Sequence, residues 1–226
     1  MIGVWSAGPD GGWAYMPVAS VRLADFEPLL PAEGEILARL SSGDFDRLGD
    51  GTRPTEPDPA RVVRGAFLRF LMLGGEEGCR PHEKGVKVSG AWISGVLDLE
   101  ACRVPSDIGL TDCHFEAAPI LRAAIINRLF LDGSSLPGLR AERVEARGGL
   151  YLRGADVGEE VNLAESRLGG NLELDGATLR AKGGFALNAD SIEVRNILLR
   201  ATQIRGAITI AGAQATADFN CAGAVV

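Results

Sequence analysis

The sequence predicts a mainly β protein: a four-sided β-helix of stacked coils, with a small α-helical cap at its N-terminal end. Three observations predict this fold. From residue 86 onwards a pattern of apolar residues recurs about every eleven residues, and glycines recur at fixed places within it. The first 85 residues lack this pattern. The 226 residues include 30 glycines but only 8 Phe, 3 Trp and 2 Tyr, which indicates many tight turns and few bulky anchors.

Each copy of the repeat has two apolar residues two positions apart, a small residue three positions later, and another apolar residue two positions after that. Clear copies begin at Val86, Leu97, Ile108, Leu129, Leu150, Val161, Leu172 and Ile208. Weaker copies begin near Pro119, Leu139, Phe185, Ile197 and Phe219. A spacing of two is the periodicity of a β-strand, so each copy predicts two very short strands joined by corners.

A period of eleven residues is also found in right-handed helical coiled coils. Glycine decides between the two structures. The pairs SG, DG, RG and AG recur just before the small residue, where a continuous helix tolerates glycine poorly. We therefore expect very short strands that pair with the coils above and below at a spacing of roughly 4.8 Å.

The number of copies in one coil has two solutions. Two copies, about 22 residues, make a four-sided coil whose interior holds both apolar pairs. One copy makes a flattened, two-sided solenoid, which is too thin for both pairs at a sheet spacing of about 10 Å. We expect the four-sided coil over residues 86–226, and the alternative of eleven residues per coil stays open from sequence alone.

Residues 1–85 form a separate predicted region with helical character. The stretch DPARVVRGAFLRFLML, residues 58–73, predicts an amphipathic helix. Asp58 is its expected N-cap, Pro59 its first residue and Gly74 its stop signal.

A second, shorter helix is expected from about Pro31 to Leu40. The Gly, Pro and Asp content of residues 41–59 predicts a loop between the two helices. An uncovered sheet edge would pair with other chains. The helical region is therefore expected to cap the first coil.

The stretch GADVGEEVNLAESRLGGNLELDGATL has a small residue two places before a central large apolar one. In this it resembles the pentapeptide-repeat proteins, and the resemblance covers residues 86–226. It implies a right-handed, quadrilateral β-helix. The resemblance is also compatible with a function as an inhibitor that imitates duplex DNA, which is the function of the topoisomerase-binding members of that family. Separately, FLRFLMLGG followed by HEKGVKVSGAWISGVLDLEAC resembles a junction found in a group of bacterial proteins of unassigned function.

Charge and cysteine content restrict the cellular setting. The net charge of −7 is spread over both regions, with −4 in residues 1–85 and −3 in residues 86–226, so direct nucleic-acid binding is not expected. The four cysteines are too few for a disulfide framework. Charges interrupt every apolar stretch, so no membrane span is expected, and the first twenty residues lack signal-peptide features. We therefore expect a cytoplasmic protein.

Motifs for catalysis or cofactor binding are absent from the sequence. It has no Gly-rich phosphate loop and only two histidines. Cys79 with His82, and Cys113 with His114, could each supply two metal ligands, but a second half-site at zinc spacing is missing. In the repeat, Cys113 points inward and His114 outward. We therefore expect no metal, no cofactor and no enzymatic activity.

Outward positions of the predicted coils suggest an interaction surface. One face is expected to present Lys87, Gly109, Phe130, Tyr151, Glu173, Leu198 and Asn220. The preceding face is expected to present Arg103, Ile125, Arg143, Arg167, Ser191 and Gln214. Along their shared edge we expect a basic and aromatic strip composed of Arg103, Ile125, Phe130, Arg143, Tyr151 and Arg167. Such a strip suits a protein partner or an anionic ligand, although large outward residues also occur on ordinary surfaces.

These features favour a non-enzymatic protein-interaction scaffold with an unidentified protein partner. Two alternatives are a DNA-mimicking inhibitor of a topoisomerase-like protein and a carbohydrate-binding or carbohydrate-cleaving β-helix. The final segment FNCAGAVV still follows the repeat. We therefore expect either that the sequence is truncated or that its last coil meets a partner or a second copy of the chain, forming a homodimer.

Overall fold

A computed structural model describes residues 21–226 and, within the first twenty residues, only the backbone of two strands. The expectation that residues 1–20 do not form a signal peptide therefore falls largely outside the described residues. The helices are a 3₁₀ helix (Leu23–Phe26), α1 (Pro31–Arg39) and α2 (Gly65–Met72). Among the described residues no helix is long and apolar enough to cross a bilayer.

The strands, in chain order, are β1 (Gly3–Ala7), β2 (Trp13–Pro17), β3 (Asp46–Arg47), β4 (Val62–Arg64), β5 (Val86–Ser89), β6 (Trp92–Ser94), β7 (Ile108–Thr111), β8 (His114–Phe115), β9 (Ile125–Ile126), β10 (Leu129–Phe130), β11 (Ser135–Leu136), β12 (Leu139–Arg140), β13 (Glu145–Ala146), β14 (Leu150–Tyr151), β15 (Asp156–Val157), β16 (Val161–Asn162), β17 (Arg167–Leu168), β18 (Asn171–Glu173), β19 (Thr178–Asn188), β20 (Glu193–Val194), β21 (Asn196–Leu198), β22 (Gln203–Thr209), β23 (Gln214–Ala215) and β24 (Phe219–Asn220). Strands β1 and β2 pair antiparallel with each other. The remaining strand pairs are parallel.

The strands stack into four faces, which confirms a β-solenoid of about 22 residues per turn and excludes the eleven-residue coil. Face 1 contains β3, β5, β7, β10, β14, β18, β21 and β24. Face 2 contains β4, β6, β8, β11, β15 and the first parts of β19 and β22. Face 3 contains β12, β16 and the second parts of β19 and β22. Face 4 contains β9, β13, β17, β20 and β23. The right-handed sense of the coil stays a prediction.

Large apolar side chains fill the interior of the coils. Leu163 and Leu174 are both fully buried, as the repeat predicts. Three of the small inward positions carry buried hydroxyl groups, and each hydroxyl donates a hydrogen bond to a carbonyl oxygen of the preceding coil in the chain. The donors are Ser134 (to Leu110), Ser166 (to Ala141) and Thr202 (to Leu174), at 2.8, 2.9 and 2.8 Å. These polar groups are therefore satisfied without water.

Two corners of each coil use the left-handed backbone region. At these corners the third residue of a tight turn has positive φ, and the fourth is the inward small residue. Glycine occupies some corners, but seven non-glycine residues also adopt this conformation, with φ between 49° and 59°. They are Ala101, Asp112, Ala123, Arg143, Glu165, Ser191 and Ala201. Such residues each carry roughly 1–2 kcal/mol of backbone strain, which the stacked coils above and below hold in place.

Among the coils that begin at residue 86 or later, one is longer than the others. Leu172 lies beside Ile197, twenty-five residues later, whereas Leu150 and Leu172 are twenty-two apart. The register shifts within β19 between Arg180 and Phe185. Phe185 is 43% exposed. The repeat copy predicted near Phe185 therefore begins two residues later, where the chain returns to the core.

The helical region differs from its prediction in one respect. Helix α1 lies where it was expected, but the helix predicted from Asp58 begins only at Gly65. Residues Val62–Arg64 instead form β4, which pairs with β6. Two consecutive valines suit an extended strand, and pairing with an existing sheet satisfies their backbone groups. The predicted loop 41–59 likewise contains β3, which pairs with β5.

Helix α2 packs against the lower end of the first full coil. Its Arg69 side chain donates a hydrogen bond to the carbonyl oxygen of Asp98 at 2.7 Å. A Cβ on Gly65 would lie 2.6 Å from the carbonyl oxygen of Val96, so only glycine allows this close approach. The sheets therefore begin upstream of residue 86, and the domain boundary at that residue stays a prediction.

The buried carboxylate of Glu33 attaches helix α1 to this assembly. Glu33 is fully buried. It accepts hydrogen bonds from the backbone N–H and the side chain of Arg64, the closest at 2.5 Å, and from the backbone N–H of Leu30. Arg64 also donates to the carbonyl oxygen of Phe26 at 2.6 Å. This network connects α1, the 3₁₀ helix and β4.

We predict that Ala201→Gly stabilises the protein, because glycine adopts positive φ without a Cβ clash. Ala201 has φ of 53° and is exposed, so the substitution removes strain and little packing. The free energy of unfolding should rise by about 0.5–1 kcal/mol, measured by urea denaturation. Ala164, which lies outside the positive-φ positions, provides the matched control. Ala164→Gly should lower stability, and an equal loss at both sites would contradict the strain interpretation.

Candidate functional site

The outer surface of face 4 carries two columns of side chains. The first column follows the strand register and contains Arg103, Ile125, Glu145, Arg167, Glu193 and Gln214. The second column lies on the other side of the inward residues and contains Asn127, Arg147 and Gly169. Arg195 and Thr216 continue it on the next two coils after a register shift of one residue, with Arg195 beside Gly170. Between these columns lies a groove of about 550 Å³, which we call the face 4 groove.

The structure corrects the predicted first column at two positions. Glu145 and Glu193 occupy the places predicted for Arg143 and Ser191. Arg143 and Ser191 lie instead at corners with positive φ. The small inward position that follows each of these corners carries Val144 or Ile192, which makes the register harder to read from the sequence.

Of the predicted strip, Arg103, Ile125 and Arg167 share one column, and Phe130 and Tyr151 share another on face 1. Arg167 lies between two glutamates. Its side chain is 3.8 Å from Glu145 and 3.3 Å from Glu193. The central part of the strip is therefore mixed in charge rather than uniformly basic. Both ion pairs are more than half exposed, so they contribute little to stability.

Face 1 presents a stacked aromatic pair beside this groove. The rings of Phe130 and Tyr151 have centroids 4.8 Å apart and planes 8° from parallel. The guanidinium of Arg128 lies 5.8 Å from the Phe130 ring centroid, and that of Arg153 lies 5.4 Å from the Tyr151 ring centroid. Such cation–π contacts are typical of protein interaction surfaces.

Arg128 and Arg153 lie outside the surface strip predicted from the sequence. Arg128 pairs with Asp107 at 2.9 Å, and Arg153 pairs with Asp132 at 2.7 Å. Hydrogen bonding to Asp132 raises the pKa of Arg153 further above its ordinary value. Each arginine is two residues from its aromatic neighbour, and this spacing in the sequence was the available signal.

The reactive side chains lie apart from one another. Cys113 is fully buried, and burial raises the pKa of its thiol to about 12. His114 points outward and stacks on Trp92, with ring centroids 3.9 Å apart. Burial lowers the pKa of His114. Among residues 21–226, no three His, Cys, Asp or Glu side chains are grouped as metal ligands.

Comparison with known proteins returned no matching family model, no matching curated protein and no matching solved structure. The resemblance to pentapeptide-repeat proteins stays a prediction. The fold itself is established by the stacked parallel coils.

Asp46 is a buried carboxylate beneath the first full coil. It is 5% exposed and lies beside the inward residue Val88. Burial raises its pKa to about 6, opposed by the nearby charge of Arg39 and assisted by Glu35 and Asp44. Because the folded state holds this proton more tightly than the unfolded chain, the contribution of Asp46 to stability falls as pH rises from about 4 to about 6.

We predict that Asp46→Asn stabilises the protein at pH 7, because the amide carries no charge to desolvate. The difference in free energy of unfolding between this variant and wild type should grow by at most about 1.4 kcal/mol per pH unit between about pH 4 and 6. Urea denaturation at several pH values measures it. A constant difference at Asp46 would contradict a raised pKa.

Proposed function

We propose that this chain is a non-enzymatic scaffold that presents face 4 and the adjoining part of face 1 to a protein partner. One observation carries the proposal: outward side chains of successive coils lie in fixed rows, and two such rows place a groove beside a rigid aromatic pair. Rows held by a parallel ladder lose little conformational freedom on binding, which favours association.

The aromatic pair supplies the side-chain types that dominate binding energy in protein interfaces. Tyrosine and arginine are enriched among such residues, and here Tyr151 and Arg153 lie together beside Phe130. Because Asp132 orients Arg153 through hydrogen bonds to its side chain, this arginine is held before a partner arrives.

The two alternative functions are less well supported. A DNA mimic needs a row of free negative charge, but successive coils here alternate acid and base, as in Asp132 with Arg153 and Asp175 with Arg200. A carbohydrate platform needs an open ring face. Phe130 and Tyr151 stack on each other and lie beneath guanidinium groups, which leaves little ring surface for a sugar.

Two further expectations belong to this proposal. All four cysteines are unpaired, which suits a reducing compartment such as the cytoplasm.

The last coil exposes Phe219, Val225 and Val226, at 47%, 64% and 80%, and its strands have neighbours on only one side. Association of two copies through this edge is the corresponding proposal for a homodimer, and the mass measured by light scattering over a range of concentrations tests it.

We predict that substitutions on the two presented faces strongly reduce partner capture from a lysate of the native source. The bait variants are Ile125→Asp for face 4 and Tyr151→Ala for face 1. Arg205→Ala provides the control, because Arg205 is exposed on face 2. Each presented-face variant should reduce the captured partner at least about tenfold, the usual effect of losing a central interface residue. The scaffold proposal would be contradicted if both variants still captured the partner, or if the wild-type bait retained no protein above background.

A further inference from the structure

We propose that the face 4 groove binds one carboxylate of an acidic protein segment, in a notch formed by Arg147, Arg167 and Arg195 around Gly169. This inference rests on the proposed scaffold function and specifies the chemistry of its partner.

The three arginines surround a position that has no side chain. Arg147 and Gly169 are neighbours on successive coils, and Arg195 lies on the next coil, where its backbone N–H donates to the carbonyl oxygen of Gly170. Arg167 lies on the middle coil in the neighbouring column. Arg147 and Arg195 are two coils apart, about 10 Å at the spacing of parallel strands. Both side chains are exposed. A ligand atom above Gly169 can therefore be reached from three sides.

Gly169 allows its coil to lie close to the backbone of the preceding coil, and it places no side chain in the groove. A Cβ at this position would lie 2.3 Å from the carbonyl oxygen of Arg147, a distance that real Cβ atoms do not show. The backbone N–H of Gly169 donates to the carbonyl oxygen of Ala146 at 2.9 Å, and that of Arg195 donates to Gly170 at 3.0 Å. The backbone is thus fixed in the ladder, and the arginine side chains remain the donors available to a ligand.

The charges in the groove match a single carboxylate. Arg167 pairs with both Glu145 and Glu193. In the part of the chain that the structure describes, Arg147 and Arg195 form no ion pair. The lining therefore contains three arginines and two glutamates, an excess of one positive charge. A carboxylate neutralises this excess, whereas a phosphate group with about two negative charges would leave the occupied groove with a net negative charge.

The lower end of the groove supplies an apolar contact. Ile125 lies in the groove two coils below Arg167. Two coils span about 10 Å, which an extended peptide covers in about three residues. The partner segment is therefore an extended one with a large apolar residue about three positions from an acidic residue.

Fluorescence anisotropy with labelled peptides tests this inference on the full chain. The probe is a glycine–serine peptide that carries one leucine and, three residues later, one glutamate. Matched peptides replace the glutamate with glutamine or with phosphoserine. The protein variants are wild type, the double variant Arg147→Ala/Arg195→Ala, and the control Arg205→Ala. Circular dichroism and thermal melts establish that each variant is folded.

We expect the glutamate peptide to bind wild type and Arg205→Ala equally, and the double variant about tenfold or more weakly, because charge-assisted hydrogen bonds are lost. The glutamine peptide should bind wild type about tenfold more weakly as well. Binding that is equal for glutamate and glutamine, or unchanged in the double variant, would overturn the inference. Tighter binding of the phosphoserine peptide would assign the notch to phosphoryl groups and overturn it too.

The two proposals fail in different ways. If Ile125→Asp abolishes partner capture but no glutamate peptide binds the notch, the scaffold function stands and the acidic segment is wrong. If the peptide binds as expected but Ile125→Asp and Tyr151→Ala leave the amount of captured partner unchanged, the notch binds a carboxylate and the scaffold proposal is wrong.

Discussion

The parallel ladder of backbone hydrogen bonds between successive coils is the constraint on which the rest of the structure depends. It runs through the whole solenoid, as from Leu131 to Tyr151, Leu152 to Glu173 and Leu174 to Leu198, at 2.7–2.8 Å. Many strands have only two or three residues, so none could be stable alone. Because the register passes from one coil to the next, the ladder also decides which side chains enter the core and which face outward.

The core and the corners allow this ladder to continue. Inward leucines, isoleucines and valines stack on their counterparts in the next coil, while two corners of each coil combine a left-handed backbone with an inward residue, usually a small one, directly after it. Non-glycine residues such as Glu165 and Ser191 adopt that backbone, so tertiary pairing overrides local preference there. The same rigidity gives the outward rows of faces 1 and 4 fixed spacings, which is the property that a binding surface requires.

Much of the fold is readable from the sequence because its inward pattern is redundant: Leu172, for example, has apolar ladder partners in both neighbouring coils, Leu150 and Ile197. The exceptions are local. Val62–Arg64 form a strand because β6 offers a partner, and residues near Phe185 bulge outward because that coil has extra residues. On face 4, Val144 and Ile192 occupy inward positions that carry small residues in other coils. The repeat was therefore difficult to align there, and the outward positions of Glu145 and Glu193 were assigned to Arg143 and Ser191. Outward residues have no packing pattern, so their groove became visible only in the structure.

The most direct test of the account is a pair of deletions compared by circular dichroism and urea denaturation. Removing residues 129–149 takes out one whole coil, from Leu129 up to its ladder partner Leu150, and should leave a shorter rod that unfolds cooperatively. Removing only residues 139–149 places faces 1 and 2 of the next coil over faces 3 and 4, so that side chains meet ladder partners from a different face. The free energy of unfolding of this product should fall well below that of the whole-coil deletion. Equal stability of the two products, or a folded product from the half-coil deletion alone, would contradict a four-sided solenoid held by its ladder.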